Sequence, residues 1–170
     1  MPRDDRLKEV RLDLCLTITR KKRLRQLDNL LNAIFVKNFE LHNIRLKYYQ
    51  GFHDVVSVFL LTLDCNLGYY CADTFARFYL VDYCQLSFDQ GLIPLFKLTT
   101  QVLKVIKPDL WKFLTLDGEQ PTMMFMTSWM LTLFSHDIKC LENVRRMFDL
   151  YLVEHPLIIV YICVSLIVDR

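Results

Sequence analysis

At 170 residues the chain has the length of one domain, enough to bury a sizeable core. Its 53% hydrophobic and 24% charged composition is that of a soluble globular chain at the apolar end, and only 4 glycines and 5 prolines exclude a sandwich of many short turns. The net charge of +2 selects no class of partner, although residues 1–25 carry +5 and the remainder −3. In chain order, the spacing of Leu7, Val10, Leu14 and Ile18 predicts a first helix over residues 4–17. Leu24, Leu27, Leu31, Ile34 and Phe35 predict a second over 22–39, with charge on its opposite face. A polar connector over 40–47 leads into Lys47-Tyr48-Tyr49-Gln50-Gly51-Phe52-His53-Asp54, followed by a nearly all-apolar helix to about residue 67 that reads as central. Further helices are expected over 69–86 and over 89–106, the latter with Pro94 in its first turn. Shorter ones are expected over 109–116, 121–135 and 141–154, with a turn at Asp117-Gly118 and a last helix from Pro156. No β-alternation is sustained and no repeat recurs. The expected fold is all-α, a compact array of about eight helices in one domain over 1–170.

The basic run Arg20-Lys21-Lys22-Arg23 with Arg25 is read as a solvated helix face. It has no interleaved aromatics, so it gives no support to nucleic-acid binding. The cysteines Cys15, Cys65, Cys71, Cys84, Cys140 and Cys163 form no C-x-x-C pair, which fits a reducing compartment and small buried hydrophobes. The charged residues 1–5 are not a signal peptide, and the longest apolar run, residues 157–168, is too short to span a bilayer. That run ends the chain without a helix cap, so the sequence reads as a domain incomplete at both ends.

The stretch 48–54 is the one place where aromatic rings, a carboxamide, a glycine and a His-Asp pair are consecutive. At a helix N-terminus, backbone N–H groups and the helix dipole favour an anionic partner, and a neutral Gln can orient a water or a phosphoryl oxygen without being a base. The bland alternative is a capped helix start with Gly51 easing the turn. His53-Asp54 also resembles the metal-binding doublet of HD-type phosphohydrolases. The further ligands that such a site needs are not suitably spaced, with His42 eleven residues upstream on the connector and His136 and His155 remote. No metal or cofactor is expected. No G-x-S-x-G or phosphate-cradling glycine loop occurs, and no cysteine has a histidine within three residues.

Tyr48-Tyr49-Gln50-Gly51 resembles the Y-x-Q-G motif of TBC domains, the all-α catalytic domains of Rab GTPase-activating proteins. The tyrosine doublet and the following His53-Asp54 are closest to the subgroup anchored to the endoplasmic reticulum. Trp129 with Phe134, Arg146-Met147-Phe148-Asp149, and Glu154-His155-Pro156-Leu157 are similar to further motifs of that family, in the same order. The resemblance covers about residues 10–168. It implies a regulator of a Rab-family small GTPase bound to GTP and Mg, not an enzyme in its own right. The domain would act in trans in vesicle traffic between endoplasmic reticulum and Golgi, on the cytosolic face of those membranes. Membrane contact would be indirect, with room for an anchor beyond Arg170. It also implies that Gln50 orients the attacking water and that Asp13, Tyr48, Tyr49, Gly51 and Asp54 face the GTPase. The family's second motif, I-x-x-D-x-x-R, supplies an arginine worth about 10³–10⁵ in rate. Its best match is Val10-Arg11-Leu12-Asp13-Leu14-Cys15-Leu16, which puts Leu16 where the arginine belongs and leaves Arg11 as a weak substitute. The opening R-x-x-x-W motif is absent. Three readings follow: an activator of a Rab-family GTPase, a catalytically degenerate scaffold that binds such a GTPase without the arginine, and a metal phosphohydrolase. Two structural expectations go with the first, an exposed Gln50 near a helix start over a packed tyrosine, and Asp13 on the same face as Gln50.

Overall fold

A computed structural model describes the backbone of residues 3–85, 87–115 and 123–169, and the side chains from residue 20 onward within them except residues 85, 88 and 89. No glycine or proline falls between Arg3 and His42, and that stretch forms a single helix, α1 (Arg3–His42), where the periodicity predicts two. Nothing in Ile18-Thr19-Arg20-Lys21 breaks a helix, so the second hydrophobic stripe continues the first rather than restarting it. His42 is therefore the last residue of α1, not part of a connector. The expected turn at Asp117-Gly118 lies outside the described residues.

The apolar run after Gly51 is shorter as a helix than expected: α2 (Phe52–Thr62) ends where Asp64 caps α3 (Cys65–Phe78). The Asp64 carboxylate accepts hydrogen bonds from the Asn66 and Leu67 N–H groups at 2.9 and 3.0 Å. A capping carboxylate inside an apolar run outweighs hydrophobic continuity because it satisfies donors that a helix start otherwise leaves open. A second break at Tyr79-Leu80 separates α3 from the short α4 (Val81–Gln85). α5 (Phe88–Ile106) starts at Ser87, whose backbone N–H donates to the Gln90 side chain at 3.4 Å. Pro94 thus lies inside the helix and not in its first turn, and removes one backbone hydrogen bond there. α6 (Pro108–Leu114) has Pro108 at its first position, where a missing N–H does no harm.

After the undescribed 116–122, a 3₁₀ turn (Met124–Met126) leads to α7 (Thr127–Thr132), which stops well before the expected residue 135. Leu133 and Phe134 end it by adopting left-handed backbone, φ 50° and 65°. Such conformations cost about 1–2 kcal/mol in a non-glycine residue. Both side chains are nearly fully buried, and that burial offsets the strain. α8 (Leu141–Val153) and α9 (Ile158–Val168) fall close to their expected bounds. Among the described residues there are nine α-helices and no strand, an all-α architecture.

α2 is the central helix, packing against α1, α3, α7 and α8. Phe52, Val55, Val56, Val58 and Phe59 form its buried face, and the Phe59 ring meets Phe75 of α3 and Phe148 of α8 at 5.4 and 5.5 Å. Burying a side chain of this size contributes about 1.5–3 kcal/mol. α1 lies antiparallel to α2. Phe35 meets Phe52 at the start of α2, ring centroids 5.4 Å apart, while Leu24 and Leu27 lie beside Leu60 and Leu61 near its end. The buried Asn38 amide donates to the Ile34 carbonyl at 2.7 Å and to Asp73 of α3, which in turn pairs with Arg77 at 3.1 Å. α9 packs on α5 and buries Ile159, Val160, Cys163 and Val164, leaving Tyr161 and Leu166 exposed.

Candidate functional site

The consecutive polar cluster sits on the segment that enters the central helix. From α1 the chain crosses over residues 43–49 without regular structure, with Asn43 in left-handed backbone at φ 53°. Two anchors then fix its course: Leu46 is buried, and the Lys47 N–H donates to the Cys84 carbonyl at 2.7 Å. Tyr49 turns inward. Its hydroxyl donates to the Leu131 carbonyl of α7 at 3.0 Å, and its ring lies against Phe52 and Tyr83 at 5.6 and 6.0 Å. Burial pushes its phenol well above the usual range, so it stays neutral and acts as a strut.

Gly51 makes the corner. It adopts φ 110° and ψ −15°, and a Cβ there would stand 2.8 Å from the Thr132 methyl of α7. Both facts demand glycine, one for the backbone and one for space. Between the strut and the corner, Gln50 occupies the turn and is exposed. The Phe52 and Asp54 N–H groups fold back on the Tyr49 and Gly51 carbonyls at 3.1 and 3.0 Å. Two of the donors expected to be open at this helix start are therefore used by the turn. Asp54 in the first turn offsets part of the dipole.

The outer side of the turn is held by a second set of contacts. Tyr48 is 53% exposed and its hydroxyl is 2.7 Å from His53 Nδ1, with the two rings stacked at 6.2 Å. His53 Nε2 lies 3.6 Å from one Asp54 oxygen, and His136 Nδ1 lies 3.3 Å from the other. The carboxylate thus sits between two imidazoles and ties the start of α2 to the segment after α7. Among the described residues no group of three His, Cys, Asp or Glu side chains is arranged to hold a metal ion. His53 and Asp54 are engaged with Tyr48 and His136, which accounts for the doublet without the phosphohydrolase reading.

Of the residues expected to face a partner, Tyr48 and Gln50 are exposed and Asp54 is half-buried. Gly51 is buried and Tyr49 points inward, so these two shape the loop rather than present a contact surface. The side chains of Arg11, Asp13 and Leu16 lie outside the described residues, and with them the expectation that Asp13 shares a face with Gln50. A cavity of about 310 Å³ opens beside the turn, lined by Lys47, Tyr48, Tyr49 and Gln50 on one side and Tyr83, Cys84, Ser87 and Leu131 on the other. Burial pushes the Cys84 thiol up to about 12, so it is no nucleophile at neutral pH. What the site offers chemically is an exposed, neutral carboxamide on an anchored turn and a lysine lining the same cavity, a pair suited to positioning and charge rather than to proton abstraction.

Thr132 and Leu131 were not singled out from their own residue types, His136 was weighed only as a remote metal ligand, and Lys47 only as the first residue of the cluster. The first three come from a segment about eighty residues away, and nothing local announces that they meet the turn. Only the cavity gives Lys47 a place.

The family profile for the Rab-GTPase-TBC domain matches residues 2–170. The chain is 32% identical over 150 residues to the GTPase-activating protein gyp10 of Schizosaccharomyces pombe, an alignment covering 88% of this chain and 38% of that protein. It is 26% identical over 145 residues to TBC1 domain family member 20 of Homo sapiens, covering 85% of this chain and 34% of that protein. With the GTPase-activating protein GYP8 of Saccharomyces cerevisiae it shares 25% identity over 119 residues, covering 58% of this chain and 23% of that protein. The chain spans well under half the length of these curated relatives. Among the described residues no helix is long and apolar enough to cross a membrane.

Proposed function

The chain belongs to the Rab-GTPase-TBC domain family, and from that premise we propose that it acts in trans as a GTPase-activating domain on a Rab-family GTPase carrying GTP and Mg. The observation that carries this reading is Gln50. It is exposed at a turn held from inside by Tyr49 on Leu131 and set at its corner by Gly51 against Thr132. A carboxamide held this way can accept a hydrogen bond from the attacking water and donate one to a phosphoryl oxygen, which positions the nucleophile without taking its proton. Tyr48, on the outer side of the same turn, is the docking contact, and His53, Asp54 and His136 stiffen the surface around it. Phosphoryl transfer is mostly positioning and charge stabilisation, so a rigid turn is the appropriate device. The similarity to relatives whose names carry GTPase-activating activity supports the reaction. Likeness to the subgroup anchored to the endoplasmic reticulum supports action in traffic at the cytosolic face of that membrane or the Golgi, with any anchor beyond Arg170.

A second reading keeps the docking and drops the catalysis. Its support is Leu16, which stands where the family's arginine belongs. Single-turnover GTP hydrolysis by a panel of Rab GTPases, with the parent protein and Gln50→Ala, separates the two. Acceleration by the parent that Gln50→Ala abolishes supports the activator. Binding of a GTP-loaded Rab without acceleration supports the scaffold, and no binding to any panel member rejects both.

A further inference from the structure

We propose that Lys47 supplies the positive charge that the aliphatic Leu16 cannot, placing its ammonium on a γ-phosphoryl oxygen while Gln50 holds the attacking water. This rests on the reading of Gln50 given above. A water-orienting carboxamide leaves the charge that spreads over the phosphoryl oxygens in the transition state unneutralised, so an activator with Leu16 needs a cation from elsewhere.

Lys47 and Gln50 line the same cavity of about 310 Å³, and among its described lining residues Lys47 is the one lysine or arginine. The base of its side chain is fixed, because the Lys47 N–H is bonded to the Cys84 carbonyl at 2.7 Å and Leu46 before it is buried. Among the described residues no carboxylate pairs with its ammonium, so the charge is available. The two residues are three apart, a separation of at most about 11 Å between α-carbons even in extended chain. Two long side chains rooted that close can converge on one phosphoryl group.

The nearest described arginines on α1 are placed wrongly. Phe35 touches Phe52 at the start of α2, and α1 runs away from that point. At 1.5 Å rise per residue Arg25, Arg23 and Arg20 lie about 15, 18 and 22 Å further along the helix axis. Arg23 and Arg20 line a separate cavity with Ser57, Leu60 and Leu61 near the other end of α2.

In the step so assisted, the water oxygen forms a bond to the γ-phosphorus and the bond from that phosphorus to the β–γ bridging oxygen breaks. The electron pair of the broken bond stays on the β-phosphate of GDP, and both protons of the water pass to inorganic phosphate, which releases one to solvent according to pH. Lys47 keeps its proton throughout and contributes only charge and hydrogen bonds. A lysine does this as a point charge, without the planar fork that lets arginine hold two oxygens at once, so its contribution falls below that of an arginine finger.

The test uses single-turnover hydrolysis by a GTP-loaded Rab panel with the parent, Lys47→Met and Lys47→Arg, alongside binding to a non-hydrolysable GTP analogue form and to the GDP–aluminium fluoride form. The expected result is a fall in catalysed rate of on the order of 10²-fold for Lys47→Met. Binding of the analogue form should change little, the preference for the aluminium fluoride form should be lost, and Lys47→Arg should keep or raise the rate. Thermal melts establish that Lys47→Met is folded. Hydrolysis by Lys47→Met at the parent rate overturns the proposal, as does a loss of analogue binding that matches the loss of rate, which would make Lys47 a docking contact. A parent that binds Rab without accelerating hydrolysis overturns the role of Lys47 and leaves the docking surface standing. A parent that binds no Rab overturns the reading beneath it.

Discussion

Replacing Gly51 by alanine probes the corner on which the whole site depends. A methyl at this position meets two penalties. The first is backbone: φ of 110° is a conformation that residues with a Cβ rarely adopt, and such strain costs about 1–3 kcal/mol. The second is steric: the new Cβ stands 2.8 Å from the Thr132 methyl, with the Leu131 Cβ and the Tyr49 ring each at 3.9 Å. Thr132 is buried and its hydroxyl donates to the Ser128 carbonyl at 2.8 Å, so its side chain cannot swing clear without losing that bond. Overpacking of this kind costs about 1–3 kcal/mol. Part of the two penalties is relieved by one movement of the turn, so the expected loss is about 2–4 kcal/mol, against a total stability of about 5–15 kcal/mol. For a chain of this length that lowers Tm by roughly 5–15 °C. The same movement displaces Gln50, and a shift of about 1 Å costs on the order of 10²-fold in rate. The assay pairs thermal melts with single-turnover GTP hydrolysis. Thr132→Ser in the Gly51→Ala background removes the clashing methyl and keeps a hydroxyl, so it should recover the steric part of the loss and not the backbone part. A Gly51→Ala protein that melts with the parent, or one fully restored by Thr132→Ser, would refute the assignment of strain to this corner.

Gln50→Ala should leave Tm within a degree or two, because the side chain is exposed, while lowering the catalysed rate by on the order of 10²-fold or more; a large change in melting would show that Gln50 supports the fold instead. Tyr49→Phe removes the donor to the Leu131 carbonyl, and should cost about 0.5–1.5 kcal/mol in denaturant melts together with a loss of rate out of proportion to any loss of Rab binding. Stability should also fall at high pH. Burial raises the Cys84 and Cys163 thiols from their ordinary value of 9.0 to about 12, so each holds a proton in the fold that the unfolded chain gives up. Their contribution is whole below pH 9 and is lost as the pH climbs towards 12, at up to about 1.4 kcal/mol per pH unit for each thiol. Guanidinium melts between pH 8 and 11 measure that slope, and Cys84→Ala should make it shallower, whereas a slope unchanged by that substitution would assign the loss to other groups.

Helical periodicity, a local property, was readable wherever it ran uninterrupted. The helix expected over 141–154 matches α8 to within a residue, because side chains three and four positions apart share one face of any helix. The nearly all-apolar stretch after Gly51 announced the central helix for the same reason: a broad apolar face has to be covered. The exposure of Gln50 was readable from its place in a turn just ahead of a helix start.

The three-dimensional arrangement decided what periodicity could not encode. Asp64 ends α2 by capping α3 from within an apolar run, and Leu133 and Phe134 leave the helical region to bury their side chains against the core. In both places a specific hydrogen bond or a packing contact outweighs a weak local propensity. The merging of two expected helices into α1 reflects the converse, a boundary read from a gap in the hydrophobic stripe where no residue enforces one. The site depends on distant partners to a greater degree. Thr132 dictates glycine at 51, Leu131 receives the Tyr49 hydroxyl, His136 reaches Asp54, and Cys84 holds Lys47 beside Gln50. Each pairing joins residues separated by tens of positions, and contacts of that kind exist only once hydrophobic burial has brought α4 and α7 against the start of α2.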